Sequence, residues 1–290
     1  MKKLFAFLFA LCMLAGVMAG CTVDEDTPLS GGNSGGNNGG TTKLDVTVEE
    51  TVLYNENDVT VTVTGLSSGF MGQEIKLRIE NNSDKNVALS GSKFIVNGFM
   101  ISGNMHIEAA AGKKSNDTLV LYSTDLELAG IEHIATCSTY GANLIDSDTY
   151  KTIADITLDI RTSIADTYEQ AIDDSGDMLF QQDGITVIAK KLSDGLLGKS
   201  VILMVKNETG KDIYFHAENV SVNDYTVTTF VYDQIAKDTI SFASIDLLSS
   251  ELEENEITTI EEVTFTAKIL DINSLKEITA SDELKVVVNG

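Results

Sequence analysis

Glu74-Ile75-Lys76-Leu77-Arg78-Ile79-Glu80 alternates charged and aliphatic residues without a break. Successive side chains of an extended strand point to opposite faces. This stretch therefore presents Ile75, Leu77 and Ile79 to a core and the charges to water. Just upstream, Val59-Thr60-Val61-Thr62-Val63-Thr64 has the same period of two, and Gly69-Phe70-Met71-Gly72 between them reads as a turn. Further strands are expected over 93–96, 118–122, 134–140 and 153–160. Ser123-Thr124-Asp125 can cap a short helix over 126–129 that Gly130 closes.

These landmarks return 126 residues later. Val59–Leu66 corresponds to Ile185–Leu192, and Gly69-Phe70-Met71-Gly72 to Gly195-Leu196-Leu197-Gly198. Asn81-Asn82-Ser83-Asp84-Lys85-Asn86-Val87 corresponds to Asn207-Glu208-Thr209-Gly210-Lys211-Asp212-Ile213, and Val96-Asn97-Gly98-Phe99 to Val222-Asn223-Asp224-Tyr225. The counterpart of the opening strand, Val201-Ile202-Leu203-Met204-Val205, is continuously apolar. Asp117-Thr118-Leu119 matches Asp238-Thr239-Ile240 at a shift of 121, whereas Ile131 and Ile134 match Ile257 and Ile260 at 126, which implies a deletion and a compensating insertion. The second helix is expected within 244–254, and the last strands over 263–270 and 284–288. A period this long is a domain duplication rather than a solenoid repeat. The prediction is all-β: two tandem antiparallel β-sandwich domains of immunoglobulin-like type, 43–163 and 164–290, each with one short helix. Asp166, Glu169, Asp173, Asp174 and Gly176 mark the boundary. With no Trp and no cysteine pair, strand order stays open.

At the N-terminus, Lys2 and Lys3 precede an apolar run over 4–17, too short for a permanent membrane span. Met18-Ala19-Gly20-Cys21 follows. This is similar to the lipobox of bacterial lipoproteins, with Met18 where Leu is more usual. The resemblance implies that 1–20 is a signal peptide cut before Cys21. It also implies a diacylglycerol thioether on Cys21, with two or three acyl chains holding the protein to a bacterial membrane at the cell surface. One chain alone would bind only marginally. Residues 21–42, rich in Gly, Asn and Ser, read as a flexible linker reaching about 25 Å on average. The acidic cluster Asp24-Glu25-Asp26 reads as a solvated spacer, and it also resembles the surface-export signal of some diderm lipoproteins. Gram-positive and diderm hosts both remain open.

Losing residues 1–20 removes two of the 20 basic residues and none of the 44 acidic ones, moving the net charge from −24 to −26. Such a surface repels phosphate backbones and offers no basic patch to anionic lipid, so nucleic acid is excluded as a partner and membrane contact falls to the lipid anchor. Cys12 leaves with the signal and Cys21 is alkylated, so Cys137 has no disulfide partner. Its apolar, strand-like setting makes it a buried thiol.

The search for chemistry finds no catalytic set. His106, His133 and His216 have Tyr232, Thr259 and Ser90 at the repeat shift, so no histidine is duplicated. Ser90-Gly91-Ser92 lacks a nucleophile elbow. Asp146-Ser147-Asp148 and Asp271-Ile272-Asn273 place oxygen ligands at equivalent sites, and Asp146, Asp148, Asp271 and Asn273 are the candidate Ca²⁺ ligands; a charged turn explains the same spacing. Without Trp, sugar stacking falls to Phe70, Phe99, Tyr140, Tyr150, Tyr225 and Tyr232, although Phe99 and Tyr225 are equivalent and read as packing. Asn-x-Ser/Thr triplets at Asn81, Asn116, Asn207 and Asn219 are common in chains of this composition.

The paired turns and the Val-Asn-Gly/Asp-aromatic segment resemble a class of Gram-positive lipoproteins with tandem β-sandwich domains of no assigned activity, over 50–290. The resemblance bears on fold; the lipobox, the tether, the duplicated β unit and the lack of a catalytic set point to a non-enzymatic envelope protein with a protein or glycan ligand and, the Ca²⁺ candidates aside, no cofactor beyond its lipid. The alternatives are an accessory or spacer subunit of a transporter or sensor, and a surface hydrolase using paired carboxylates.

Overall fold

The computed structural model describes residues 44–195, 197–229 and 231–288. The leader, Cys21, the 21–42 linker and Leu196 lie outside the described residues. Among the described residues no helix is long and apolar enough to cross a membrane.

The chain forms β1 (Thr51–Glu56), β2 (Val59–Ser68), β3 (Gly72–Asn81), β4 (Val87–Val96), β5 (Phe99–Ala109), β6 (Lys114–Tyr122), α1 (Ser123–Leu128), β7 (Thr136–Tyr140), β8 (Ala142–Asp146), β9 (Lys151–Ile156) and β10 (Asp159–Arg161). It continues with β11 (Asp177–Gln182), β12 (Ile185–Gly195), β13 (Gly198–Asn207), β14 (Ile213–Val222), β15 (Tyr225–Thr226), β16 (Val231–Ile235), β17 (Thr239–Leu248), α2 (Ser249–Glu254), β18 (Glu262–Asp271) and β19 (Glu277–Val287). The fold is an all-β antiparallel sandwich. One layer of the first half runs β1-β2-β3-β6. The other centres on β4, between β5 and the pair β7 and β8. The second half repeats this as β11-β12-β13-β17 facing β14, which lies between β16 and β18, with β19 beyond.

The alternation of the opening stretch is realised as expected. Ile75, Leu77 and Ile79 are fully buried, and so are Leu203 and Val205 in β13. The hairpins close on paired left-handed residues, Asn57-Asp58, Asn97-Gly98, Asp183-Gly184 and Asn223-Asp224, the geometry that matches strand twist in a two-residue loop. Two buried asparagines tie down the turns that follow β3 and β13. Asn81 Nδ2 donates to the carbonyls of Lys85 and Ala109, and its Oδ1 accepts from the Ser83 amide and hydroxyl. Asn207 does the same with Lys211, Ala236 and Thr209.

Strand pairing corrects two expectations. Leu119 lies opposite Ile75 and Ile245 opposite Val201, so the 126-residue shift holds through β6 and β17. The match of Asp117-Thr118-Leu119 to Asp238-Thr239-Ile240 is a chance likeness, with no deletion there. The one-residue change comes at Gly141, which separates β7 from β8 where β18 runs through unbroken. The helices also start earlier than a Ser-Thr-Asp cap requires. Tyr122 and Leu248 sit at the N-cap positions without side-chain caps. Asp125 instead accepts from the Ser102 amide, tying α1 to β5, and Glu251 from the Thr228 amide, tying α2 to the segment between β15 and β16.

Leu44–Gly290 forms one compact unit holding two apolar clusters, one per half. The halves abut. Met204 and Ile188, on the outer faces of β13 and β12, belong to the first half's cluster, and Met100 of β5 to the second's. Phe99 stacks on Phe242 with ring centroids 6.2 Å apart. The Ile240 amide donates to the Gly98 carbonyl at 3.0 Å. Hence Val201–Val205 is continuously apolar: its outer face is covered by protein. The equivalents of Ile188 and Met204 are Thr62 and Arg78, and Arg78 pairs with Glu50 and Glu80.

Candidate functional site

The second half carries an aromatic face that the first lacks. On β14, Ile213, Phe215 and Ala217 point inward and Tyr214 and His216 outward. On β16, Val231 and Ile235 point inward and Tyr232 and Gln234 outward. The register sets Tyr214 opposite Gln234 and His216 opposite Tyr232. The Tyr214 and Tyr232 centroids lie 4.4 Å apart, tilted by 36°. His216 meets Tyr232 edge-on at 4.4 Å and Tyr214 at 6.3 Å, arrangements that aromatic quadrupoles favour. Gln234 Nε2 donates to the Tyr214 hydroxyl at 3.2 Å. Burial holds the His216 imidazole below its usual range, with Lys268 adding to the effect, and its Nε2 is buried without a hydrogen-bond partner. Burial and the Tyr214 hydroxyl push Tyr232 up to about 12. Lys268 and Glu218 form a 3.6 Å pair at one margin.

A groove of about 520 Å³ opens beside these rings, lined by His216, Glu218, Asn219, Thr226, Thr228 and Tyr232. Its origin lies in one position of the repeat. In the first half β5 is continuous and pairs with β6 through Gly103 and Leu121. A Cβ on Gly103 would overlap the Val120 carbonyl oxygen and fall 2.7 Å from the Phe94 ring. The second half has Thr229 at that position, and its side chain cannot enter so narrow a gap. The equivalent of β5 is split there into β15 and β16, and the groove lies in the break.

The equivalent positions in the first half are Ala88, which is fully buried, and Ser90, His106 and Glu108. The Ser90 hydroxyl and His106 Nδ1 are hydrogen-bonded at 2.9 Å, and His106 Nε2 lies 3.5 Å from Glu108. Two of the three histidines therefore occupy the same cross-strand site in the two halves, on opposite strands. The pairing of 90 with 106 and of 216 with 232 carries that signal, which a position-by-position comparison of histidines misses.

The other candidates scatter. Asp146 Oδ1 accepts from the amides of Asp148 and Thr149, and Asp271 Oδ1 from those of Asn273 and Ser274. Each is a turn closed by its own carboxylate. Asp148 accepts from Asn86, and Asp271 also pairs with Lys211 at 3.0 Å. The backbone amide of Ser274 and the Lys211 ammonium hold Asp271 down at about 2. Among the described residues no group of three or more His, Cys, Asp or Glu is placed to hold a metal. Cys137 is buried, which pushes its thiol up to about 12. Of the predicted aromatic set only Tyr232 joins the face. Phe99 is in the junction, Tyr140 packs against the second half's cluster, and Phe70, Tyr150 and Tyr225 are exposed singly. Tyr214 was absent from that set.

Comparison with protein-family models and with curated proteins gave no match.

Proposed function

We propose that the chain is a lipid-anchored, extracytoplasmic interaction protein of a bacterial cell envelope, non-enzymatic, with the Tyr214–His216–Tyr232 face as its contact surface. One observation carries the reading. The two halves repeat their turn asparagines, their hairpins and their helix pins at a constant spacing, yet differ at four cross-strand positions, where the first half has Ala88, Ser90, His106 and Glu108 and the second Tyr214, His216, Tyr232 and Gln234. Exposed aromatic rings with hydrogen-bonding tips supply contact area at low entropy cost. The anchor rests on Lys2, Lys3, the apolar run and Met18-Ala19-Gly20-Cys21, and places the face outside the cytoplasm.

Two measurements test this. Cys21→Ser moves the protein from the detergent to the aqueous phase on phase partitioning, with its circular dichroism unchanged; equal partitioning refutes the anchor. The full chain co-sediments with isolated envelope material, and Tyr214→Ala/Tyr232→Ala does not; undiminished sedimentation refutes the contact face. The Phe99–Phe242 junction favours a second reading, a rigid spacer subunit of an envelope machine, in which the double variant would behave as wild type and Phe242→Ala would fail.

A further inference from the structure

We propose that the aromatic face and its groove form a site for an uncharged glycan; this rests on the contact-face reading above and names its ligand class. The rings pack into a closed cluster rather than a cage, with Tyr232 tilted by 36° against Tyr214 and His216 edge-on to it. With centroids 4.4 Å apart, Tyr232 is in contact with both Tyr214 and His216, leaving no gap for an ammonium group to enter between ring faces. Tyr232 stays 55% exposed on this cluster, and the C–H face of a pyranose ring is a weakly positive surface that packs against the negative face of an aromatic ring.

The margins supply what the edges of a sugar need. The Gln234 amide is bonded to the Tyr214 hydroxyl, and Asn219, Thr226 and Thr228 line the groove together with His216 and Tyr232. Alternating apolar faces and neutral donors and acceptors is the pattern of a site that orients a polar, uncharged ligand.

Charge narrows the class further. The flanking charges of Glu218 and Lys268 offset one another, and the remaining groups named here are uncharged. A protein of net charge −24 repels polyanions at longer range. Uronic-acid and sulfated chains are therefore disfavoured, and neutral chains are not.

The test is affinity electrophoresis of the full chain, in mild detergent, through native gels containing a soluble β-glucan, mannan, galactan or xylan, with hyaluronan as the anionic control. The expected result is retardation by at least one neutral polysaccharide and none by hyaluronan. Tyr214→Phe/Tyr232→Phe keeps the stacking and stays retarded. Tyr214→Ala/Tyr232→Ala loses roughly tenfold in affinity for each ring removed, and circular dichroism confirms that it is folded. No retardation by any neutral polysaccharide, or equal retardation of the alanine variant, overturns the proposal. If the alanine variant loses envelope sedimentation while no neutral polysaccharide retards the wild type, the glycan assignment falls and the contact face stands. If neither depends on the tyrosines, both fall.

Discussion

Gly103 passes so close to Val120 that the Val120 carbonyl oxygen occupies the space a Cβ would need. This contact lets β5 join both layers of the first half, where Gly103 pairs with Leu121 and Asn104 with Val120. Replacing Gly103 with the residue of its counterpart, Thr229, overpacks the seam. Gly103→Thr is expected to lower unfolding stability by about 1–3 kcal/mol, read by chemical denaturation. An unchanged midpoint would remove the explanation given for the groove in the second half.

The asparagine pair predicts a matched effect in both halves. Asn207 is 0% and Asn81 1% exposed, and each side chain donates to backbone carbonyls on both sides of its turn. Truncating either to Ala removes these buried hydrogen bonds, at about 1–3 kcal/mol. Thermal unfolding of the two single variants should show losses of similar size; a neutral Asn207→Ala would contradict the repeat's structural role.

Much of this was legible in the sequence, for a physical reason. Alternation over Val59–Thr64 and Glu74–Glu80 is set by burial of one face, and turn residues such as Asn97 and Asn207 are dictated by backbone geometry, so both leave local traces. The aromatic face leaves none. Tyr214 and Tyr232 lie 18 residues apart, and only the register of β14 against β16 brings them together. The start of α1 differs from the expected one because Asp125 looks like a cap residue, while its carboxylate serves the Ser102 amide on β5. The apolar run in β13 was visible, but its cause, the neighbouring half, was not.

Acid should loosen the turn after β18. Asp271 has an ordinary value of 3.8 and is held at about 2 in the fold by the Ser274 amide and Lys211. A depressed carboxylate contributes stability that is full above its unfolded value and is lost as the pH falls through its folded value. The stability gap between wild type and Asp271→Asn is therefore constant above about pH 4 and narrows toward about pH 2. Denaturation at a series of pH values checks it, and a gap that persists at the acid end would contradict the pairing.

Phe242 couples the halves through its stack on Phe99. Phe242→Ala is expected to weaken that junction while leaving both cores intact. Calorimetry should then resolve two transitions where the wild type has one, or widen an existing separation. A uniform shift of one unsplit transition would mean that the junction does not rest on this pair.

The central claim is that the second half's outer face meets a partner and its equivalent in the first half does not. Hydrogen exchange on the full chain, with and without isolated envelope fragments, measures this with an internal control. The account predicts added protection over Ile213–Val222 and Val231–Ile235 and none over Val87–Val96; protection of the first half's strands instead, or of neither set, would contradict it.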